Sequence, residues 1–316
     1  MASIFKNLTN SDIAQARTLL HEAIPITGTI VSGTYDDENI KNYSHQMFQS
    51  VYDYPYLSSS ANHIFDLTYG YSSNLSGAFT QNQKKLNLYN EMSQILAGYD
   101  INGQIRKFDL DGDYVAGGTT LDDCVFVAYA RLLTKDEIKK QTYTFELNNG
   151  KIIQDAGAAT SYKINSPAGE YGLLYTNSAG TGDIVGHLYY QAGIAVLTSS
   201  LFTGGSDFTS SNITGTCDTV RSEWVDNDFN NTTELNSTIY FCRLNASEFN
   251  YSSNPTYLSS SKIVVKGNSK TNPPISYITT VGLYSADNEL LAVAKLSEAV
   301  KKTDSNALTL RVRMDY

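Results

Sequence analysis

The sequence is poor in charged residues, in cysteine and in long apolar runs. Only 17% of the residues are charged, and no apolar run approaches the roughly 18 residues that a membrane-spanning helix needs, so we exclude such a helix. The three cysteines, Cys124, Cys217 and Cys242, cannot all pair with one another. We expect three reduced thiols, mostly buried, and leave a Cys217–Cys242 disulfide open because sequence does not give the Cβ distance.

Charge and composition exclude several further classes of protein. The formal net charge of −9 argues against a general basic face for nucleic acid. Hydrophobic residues make up 41% of the chain, which is a globular composition and excludes an acidic disordered chain, a coiled coil and a collagen-like fibre. No apolar segment follows a basic start at the N-terminus, so we expect no secretory signal.

Helical periodicity is confined to the first 140 residues. It predicts helices over residues 13–23, 47–52 and 81–97. The first two would end before Pro25 and Pro55, since the residue before a proline avoids helical geometry. The third is the clearest, because its apolar residues fall on one face: Leu88, Met92, Ile95 and Leu96. The apolar run over residues 121–133 fits a strand or a helix.

After about residue 141 the apolar period changes from 3.6 to 2, which indicates strands. The predicted strands cover residues 143–147, 172–176, 184–190, 193–201, 237–244, 263–266, 277–284, 289–296 and 308–314. Residues 204–236, rich in Ser, Thr, Asn and Asp, are predicted to form a long loop. We therefore predict an α+β, mainly β fold. A small mixed α/β region over residues 1–140 precedes an antiparallel β-sandwich or barrel-like domain over residues 141–316.

The patterns that mark common catalytic and metal sites are missing from the sequence. It has no His-x-x-x-His or Cys-x-x-Cys pair, no Gly-x-Ser-x-Gly elbow and no phosphate-binding loop. Asp109, Asp111 and Asp113 alternate as in the start of a calcium loop, but Tyr114 and Thr120 stand where such a loop needs Gly and Glu. We therefore favour an acidic turn over a cation site there. A carboxylate pair for glycoside hydrolysis stays open, since its members can come from anywhere in a β-domain.

Tyrosine is the unusual component of the chain, with 23 residues. Its large ring and polar tip suit interfaces that are both apolar and wet, although tyrosine also replaces Phe in half-buried strands. Tyrosine is concentrated in one polar segment, so we predict that this segment contacts other molecules. We also include the single tryptophan among the predicted interface residues. The predicted interface residues are Tyr43, Tyr52, Tyr54, Tyr56 and Trp224.

Several segments resemble virion structural proteins of marine tailed bacteriophages, cyanophages among them. The similar segments are residues 83–92, 96–100, 238–243, 249–257, 277–284 and 289–297. The hairpin over residues 280–293 is also similar to segments of tail and fibre-attachment proteins, so the resemblance points to a phage particle and not to one place in it.

The resemblance implies a structural role without catalytic residues, cofactor or metal. The expected protein lies in the tail, baseplate or neck of a virion assembled in the host cytoplasm. Its expected partners are other virion proteins and copies of itself in a symmetric assembly, with no nucleic acid and no membrane, and it would contact them through loops and strand edges. One alternative is a receptor- or glycan-binding module on a tail fibre. Another is a virion enzyme that cleaves cell-wall glycans, with Asp109, Asp111 and Asp113 as its acids.

Overall fold

The fold is known from a computed structural model that describes residues 5–31, 35–73, 81–115, 117–250, 258–259, 262–263 and 275–316. Strands take up 45% of the described residues and helices 17%, so the prediction of a mainly β fold with few helices is confirmed. The chain forms two compact units, which we call the larger unit (Leu19–Glu234) and the smaller unit (Met1–Thr18 with Leu235–Tyr316). The boundary predicted after residue 140 lies inside the larger unit.

Within the described residues, the secondary structure is dominated by strands of very different length. The strands are β1 (Ile13–Thr27), β2 (Ile40–Asn42), β3 (Gln49–Tyr52), β4 (His63–Tyr71), β5 (Phe108–Asp109), β6 (Thr120–Leu121), β7 (Asp123–Tyr129), β8 (Glu137–Ile138), β9 (Thr144–Leu147), β10 (Ile152–Gln154), β11 (Tyr171–Tyr175), β12 (Ile184–Tyr189), β13 (Ile194–Thr198), β14 (Trp224–Leu244), β15 (Leu258–Ser259), β16 (Lys262–Ile263), β17 (Ile275–Tyr284), β18 (Leu290–Thr303) and β19 (Leu308–Asp315). The helices are α1 (Gly28–Val31), α2 (Asn82–Leu96), α3 (Arg131–Thr134), α4 (Ala158–Ser161) and α5 (Ile213–Glu223), with 3₁₀ turns at Asn10–Asp12, Ser199–Leu201 and Gly205–Asp207.

The larger unit is built on one antiparallel sheet. Its strands follow the order β14-β9-β10-β11-β12-β13-β7-β4-β3-β2, so β2 is an edge. Along the central strand β7, Cys124 and Phe126 join one hydrophobic cluster, whereas Val125 and Val127 join another. A strand buried on both faces has a continuous apolar sequence, which is why the run over residues 121–133 had no clear period.

Helix α2 confirms the strongest helical prediction. It ends before Gly98, whose φ of +80° favours glycine. Its Leu88 and Leu96 are buried, but Ile95 is exposed. Lys85 is buried instead, and its ammonium donates hydrogen bonds to three backbone carbonyls of residues 208–211, which ties that segment to the helix.

Two predicted helices are wrong. Residues 13–23 lie in β1, beside β14, and residues 47–52 lie mostly in β3, between β2 and β4. Both segments have apolar residues at spacings that a helix or a strand can use. Pairing with strands distant in the sequence decided between them, because each ladder satisfies the backbone and buries one face.

The long loop predicted over residues 204–236 is also wrong. This segment contains α5 and the first half of β14. The Asn212 side chain accepts a hydrogen bond from the Gly215 N–H at 2.6 Å and so caps α5. Ile213, Cys217 and Val220 form the buried face of the helix. Of the strand predicted over residues 263–266, only Ile263 is described, at the end of β16; the remainder lies outside the described residues.

Within its described residues, the smaller unit contains three antiparallel sheets: β14 with β19 and the start of β1, β15 with β16, and β17 with β18. The second half of β14 pairs with β19 from Ser237 opposite Asp315 to Leu244 opposite Leu308. β17 and β18 form the predicted hairpin. Among the described residues of this unit, Leu244 is the one buried apolar side chain. Ribbons of two strands are marginally stable in water unless another layer covers an apolar face.

In the part of the chain that the structure describes, no helix has the length and apolar character needed to cross a membrane.

A buried carboxyl makes the stability of the larger unit depend on pH. Asp155 is buried and accepts hydrogen bonds from the Gln141 N–H (2.6 Å), the Tyr143 N–H (3.1 Å) and the Tyr190 hydroxyl (3.0 Å). Burial outweighs these bonds and raises the pKa of Asp155 to about 6. Because the folded pKa exceeds the unfolded one, the group's contribution to stability is complete below about pH 4 and is lost as the pH rises through 6.

We expect the stability difference between the wild type and Asp155→Asn to be larger at pH 4 than at pH 7, by about 3 kcal/mol. Urea titrations of both proteins at the two pH values measure it. The matched control is Ser178→Ala, an exposed residue without a titratable side chain, for which the difference should be the same at both pH values. An equal difference at both pH values for Asp155→Asn would contradict the prediction.

Candidate interaction surfaces

Four of the five predicted interface residues come together beside the edge of the large sheet. They form, with Tyr35, what we call the tyrosine patch: Tyr35, Tyr43, Tyr52, Tyr54 and Tyr56. The rings of Tyr35 and Tyr54 meet edge to face with centroids 5.1 Å apart, and those of Tyr52 and Tyr56 lie 6.2 Å apart. The Lys41 ammonium lies 4.9 Å from the Tyr43 ring centroid and 6.0 Å from that of Tyr56. The rings thus form two groups, Tyr35 with Tyr54, and Tyr52 with Tyr56 and Tyr43 beside Lys41, on segments that lead into and out of the paired strands β2 and β3.

The patch is exposed. Tyr54 keeps 45% of its surface accessible and Tyr56 37%, and the neighbouring Leu57 is almost fully exposed. Tyr52 is partly buried, and this burial raises the pKa of its hydroxyl. Rings held against one another at the surface lose little conformational entropy when they are covered, which suits a contact surface.

Acidic residues surround the patch. Asp36, Asp37 and Glu38 precede β2 and are exposed, and Asp53 follows β3. Asp36 and Asp37 have φ of +52° and +62°, a conformation that Asp tolerates better than most side chains. Lys41 is the one Lys or Arg within residues 35–56. Asp37 pairs with Arg221 and Asp53 accepts hydrogen bonds from Asn62. The exposed Asp36 and Glu38 add carboxylates close in sequence to the aromatic faces, and both kinds of group bind Lys and Arg.

The adjoining sheet edge is short. β2 has three residues and carries Lys41, and a short edge with a lysine resists uncontrolled pairing with other strands. This edge of the larger unit therefore disfavours backbone pairing with another strand.

Trp224, the fifth predicted interface residue, is not at the surface. It is 3% exposed, its ring stacks on Phe65 at 4.8 Å, and Phe145 packs against it at 4.5 Å. Its indole N–H donates to the Ile26 carbonyl at 3.3 Å. The prediction for Trp224 is corrected on this point: a single tryptophan in a polar segment gave no indication that the segment returns to the core.

The smaller unit has a groove of about 1000 Å³. It is lined by residues 5–8 and by parts of β14, β17, β18 and β19. Tyr240, Leu310 and Val312 supply apolar side chains to its wall. At its end Phe5 packs edge-on against Tyr284, with ring centroids 5.0 Å apart. These apolar groups make the groove suited to bind an apolar segment.

The hairpin of the smaller unit also exposes apolar side chains. Leu291 is 62% and Val293 53% exposed, and Tyr277 and Leu290 are exposed as well. This surface was not predicted from the sequence, although the sequence contains a signal for it. Residues 290–294 are apolar at every position, as in a strand covered on both faces, whereas the hairpin gives β18 a single partner strand.

The acidic turn brings its three carboxylates together. One oxygen each from Asp109, Asp111 and Asp113 lies within 4.8 Å of the others. Asp109 is buried, and its Oδ2 accepts hydrogen bonds from the N–H groups of Asp113 (2.9 Å) and Tyr114 (2.7 Å). Burial raises the pKa of Asp109, and a hydrogen bond from Asp109 lowers the pKa of Asp111. The innermost carboxylate thus stabilises the backbone of its own turn.

Neighbouring elements hold the turn in place. The His187 Nε2 lies 3.3 Å from the Leu110 carbonyl, and the Asn165 amide donates to the Gly112 carbonyl at 2.9 Å. His187 is fully buried, and this burial lowers its pKa to about 4, so the ring is neutral at pH 7. Among the cysteines, Cys124 and Cys217 are buried free thiols and Cys242 is a partly exposed one.

Comparison of the chain with protein-family models, with curated proteins and with solved structures finds no match.

Proposed function

We propose that this protein is a structural component of a tailed-phage virion, in the tail, baseplate or neck, which bridges neighbouring virion proteins. The exposed apolar surface of the smaller unit carries the proposal. Its described residues bury one apolar side chain, whereas the hairpin leaves Tyr277, Leu291 and Val293 open to solvent. Covering such a surface with another protein removes apolar area from water, which is the main driving force of permanent association.

The tyrosine patch supports the same function in a different way. Its exposed rings are of a type enriched in protein interfaces, and its carboxylates provide charge that a partner can complement. A bridging protein needs two such surfaces, one for each neighbour. The patch belongs to the larger unit and the hairpin to the smaller one, so each unit offers a surface of its own.

The test is quantitative mass spectrometry of purified particles of the phage that encodes this chain. We expect its peptides at an abundance comparable with that of established structural proteins, and we expect them to remain after a density gradient. The particle-free part of the same lysate is the control. If the peptides stay in the particle-free fraction, the protein is not a virion component.

A receptor- or glycan-binding module on a tail fibre is the second candidate, and the exposed rings of Tyr54 and Tyr56 favour it. Aromatic faces beside hydrogen-bonding groups suit sugar rings. Trp224 no longer contributes to this candidate because it is buried. Saturable binding of the isolated protein to host cells, lost in Tyr54→Ser with Tyr56→Ser, would support a binding module over a bridge.

A further inference from the structure

The two units carry opposite net charge. The smaller unit contains 11 Lys and Arg against 7 Asp and Glu, a net charge of +4. The larger unit contains 12 Lys and Arg against 25 Asp and Glu, a net charge of −13. The overall charge of −9 conceals this division. Opposite potentials on two parts of one chain attract the unlike parts of two copies.

Basic side chains of the smaller unit lie beside its apolar surface. Lys295 follows Leu291 and Val293 at the same two-residue spacing on β18, and all three are exposed. On β19 the exposed Arg311 and Arg313 alternate with Leu310 and Val312. Residues two apart on a strand share a face, so the apolar and basic groups of β18 form one surface.

The tyrosine patch is complementary to this surface. It combines exposed rings with the exposed carboxylates of Asp36 and Glu38. Lysine and arginine bind both carboxylates and aromatic faces, and apolar side chains cover the rings. The surface of β18 supplies apolar side chains from Leu291 and Val293 and the ammonium of Lys295.

We propose that the smaller unit of one copy binds the tyrosine patch of a second copy. The proposal rests on the proposed function and names its partner, another copy of this chain. The contact is head to tail, because each copy uses two different surfaces. Such contacts generate a ring where the rotation between copies closes, and an open stack where it does not.

The first test measures the mass of the purified full-length protein by sedimentation velocity, at concentrations up to about 100 μM. We expect assemblies larger than a monomer. Raising NaCl from about 50 to about 500 mM shortens the screening length, so we expect association to weaken roughly tenfold. A protein that stays monomeric throughout overturns the proposal, and association that is indifferent to salt overturns its electrostatic basis.

The second test separates a head-to-tail contact from a symmetric one. A hairpin variant carries Leu291→Ser with Val293→Ser, and a patch variant carries Asp36→Asn with Tyr54→Ser. Asn tolerates the positive φ of position 36. Each variant alone should be monomeric, but their mixture should form dimers, because one partner contributes an intact patch and the other an intact hairpin. If the contact were two-fold symmetric, the mixture would associate no more strongly than either variant alone. That result would overturn the proposal.

Controls keep the outcome interpretable. Ile101→Ser changes an apolar residue that is 98% exposed but lies outside both surfaces, and it should assemble like the wild type. If the hairpin variant fails to fold by circular dichroism, Lys295→Glu with Arg311→Glu replaces it, because both residues are exposed. If the protein assembles in vitro but mass spectrometry does not find it in particles, the contact between copies is supported and the virion function is contradicted. If it is found in particles but stays monomeric in vitro, the virion function is supported and this contact is contradicted.

Discussion

Replacing Trp224 with Ala is expected to lower the free energy of unfolding by about 4 kcal/mol. The indole is enclosed by the stacked ring of Phe65 and by Phe145, and the Ile26 carbonyl accepts its N–H. Truncation removes most of a large apolar surface from the core and leaves a cavity between β4 and β9, the strands that carry the two Phe residues. Urea titration followed by far-ultraviolet circular dichroism measures the loss.

Tyr54→Ala is the matched control for this prediction. Tyr54 is an aromatic residue of the same unit with nearly half of its surface exposed, so its truncation should cost less than about 1 kcal/mol. If Trp224→Ala were as mild as Tyr54→Ala, the indole would not be packed in the core. If Trp224→Ala retained full stability and lost binding to a glycan or a partner, the prediction that Trp224 is an interface residue would be supported.

Replacing Arg221 with Ala is expected to cost about 3 kcal/mol, because it removes three hydrogen bonds from a charged donor. The buried guanidinium donates to the Val31 carbonyl (3.0 Å), to the Gln49 Oε1 (3.1 Å) and to the Asp218 carboxylate (2.7 Å). Gln49 is itself fully buried, so truncation leaves its oxygen without this donor. The residue thereby connects α5 with β3 and with the end of α1. Urea titration at pH 7 measures the effect.

Lys107→Ala is the control for Arg221. Lys107 also pairs with a carboxylate, that of Asp122 at 2.9 Å, but both side chains are more than 40% exposed. Exposed pairs contribute from nothing to about 1 kcal/mol. Similar losses for Arg221→Ala and Lys107→Ala would mean that the buried network around Arg221 does not hold the three elements together.

Elements with strong local periodicity could be predicted from the sequence. Helix α2 and strand β19 each keep one period over several turns or pairs, and the turn at Ser285–Asn288 stands between two apolar runs. In these segments the local preference and the tertiary environment agree. The element that the local period predicts is therefore the one that forms in the folded protein.

Segments with ambiguous periods could not be predicted in this way. Residues 13–23 have the alanines and leucines of a helix, but they form a strand because β14 lies alongside. The polar composition of residues 204–236 concealed α5, although Asn212 provides a cap and Ile213, Cys217 and Val220 recur at helical spacing. The composition of a segment reflects the residues on its exposed face as well as those on its buried face. In residues 204–236 the polar residues of the exposed face concealed the apolar residues of the buried one.

The predicted interface residues also divide into those that local sequence could place and one that it could not. Tyr43, Tyr52, Tyr54 and Tyr56 are close in the sequence, so clustering alone indicated that they share a surface. Trp224 is far from its contacts Phe65 and Phe145 in the sequence, and no local pattern records that they meet.

The amino-acid order by itself determined that this chain is rich in strands, because side-chain periods of 2 need nothing beyond neighbouring residues to be visible. It also determined the grouping of the exposed tyrosines. Only the tertiary structure decided which apolar residues are enclosed and which face water, and that the chain divides into two units whose net charges have opposite sign. Burial and net charge of a unit depend on which distant segments pack together, and the free energy of that packing is a sum over contacts that no single window of sequence contains.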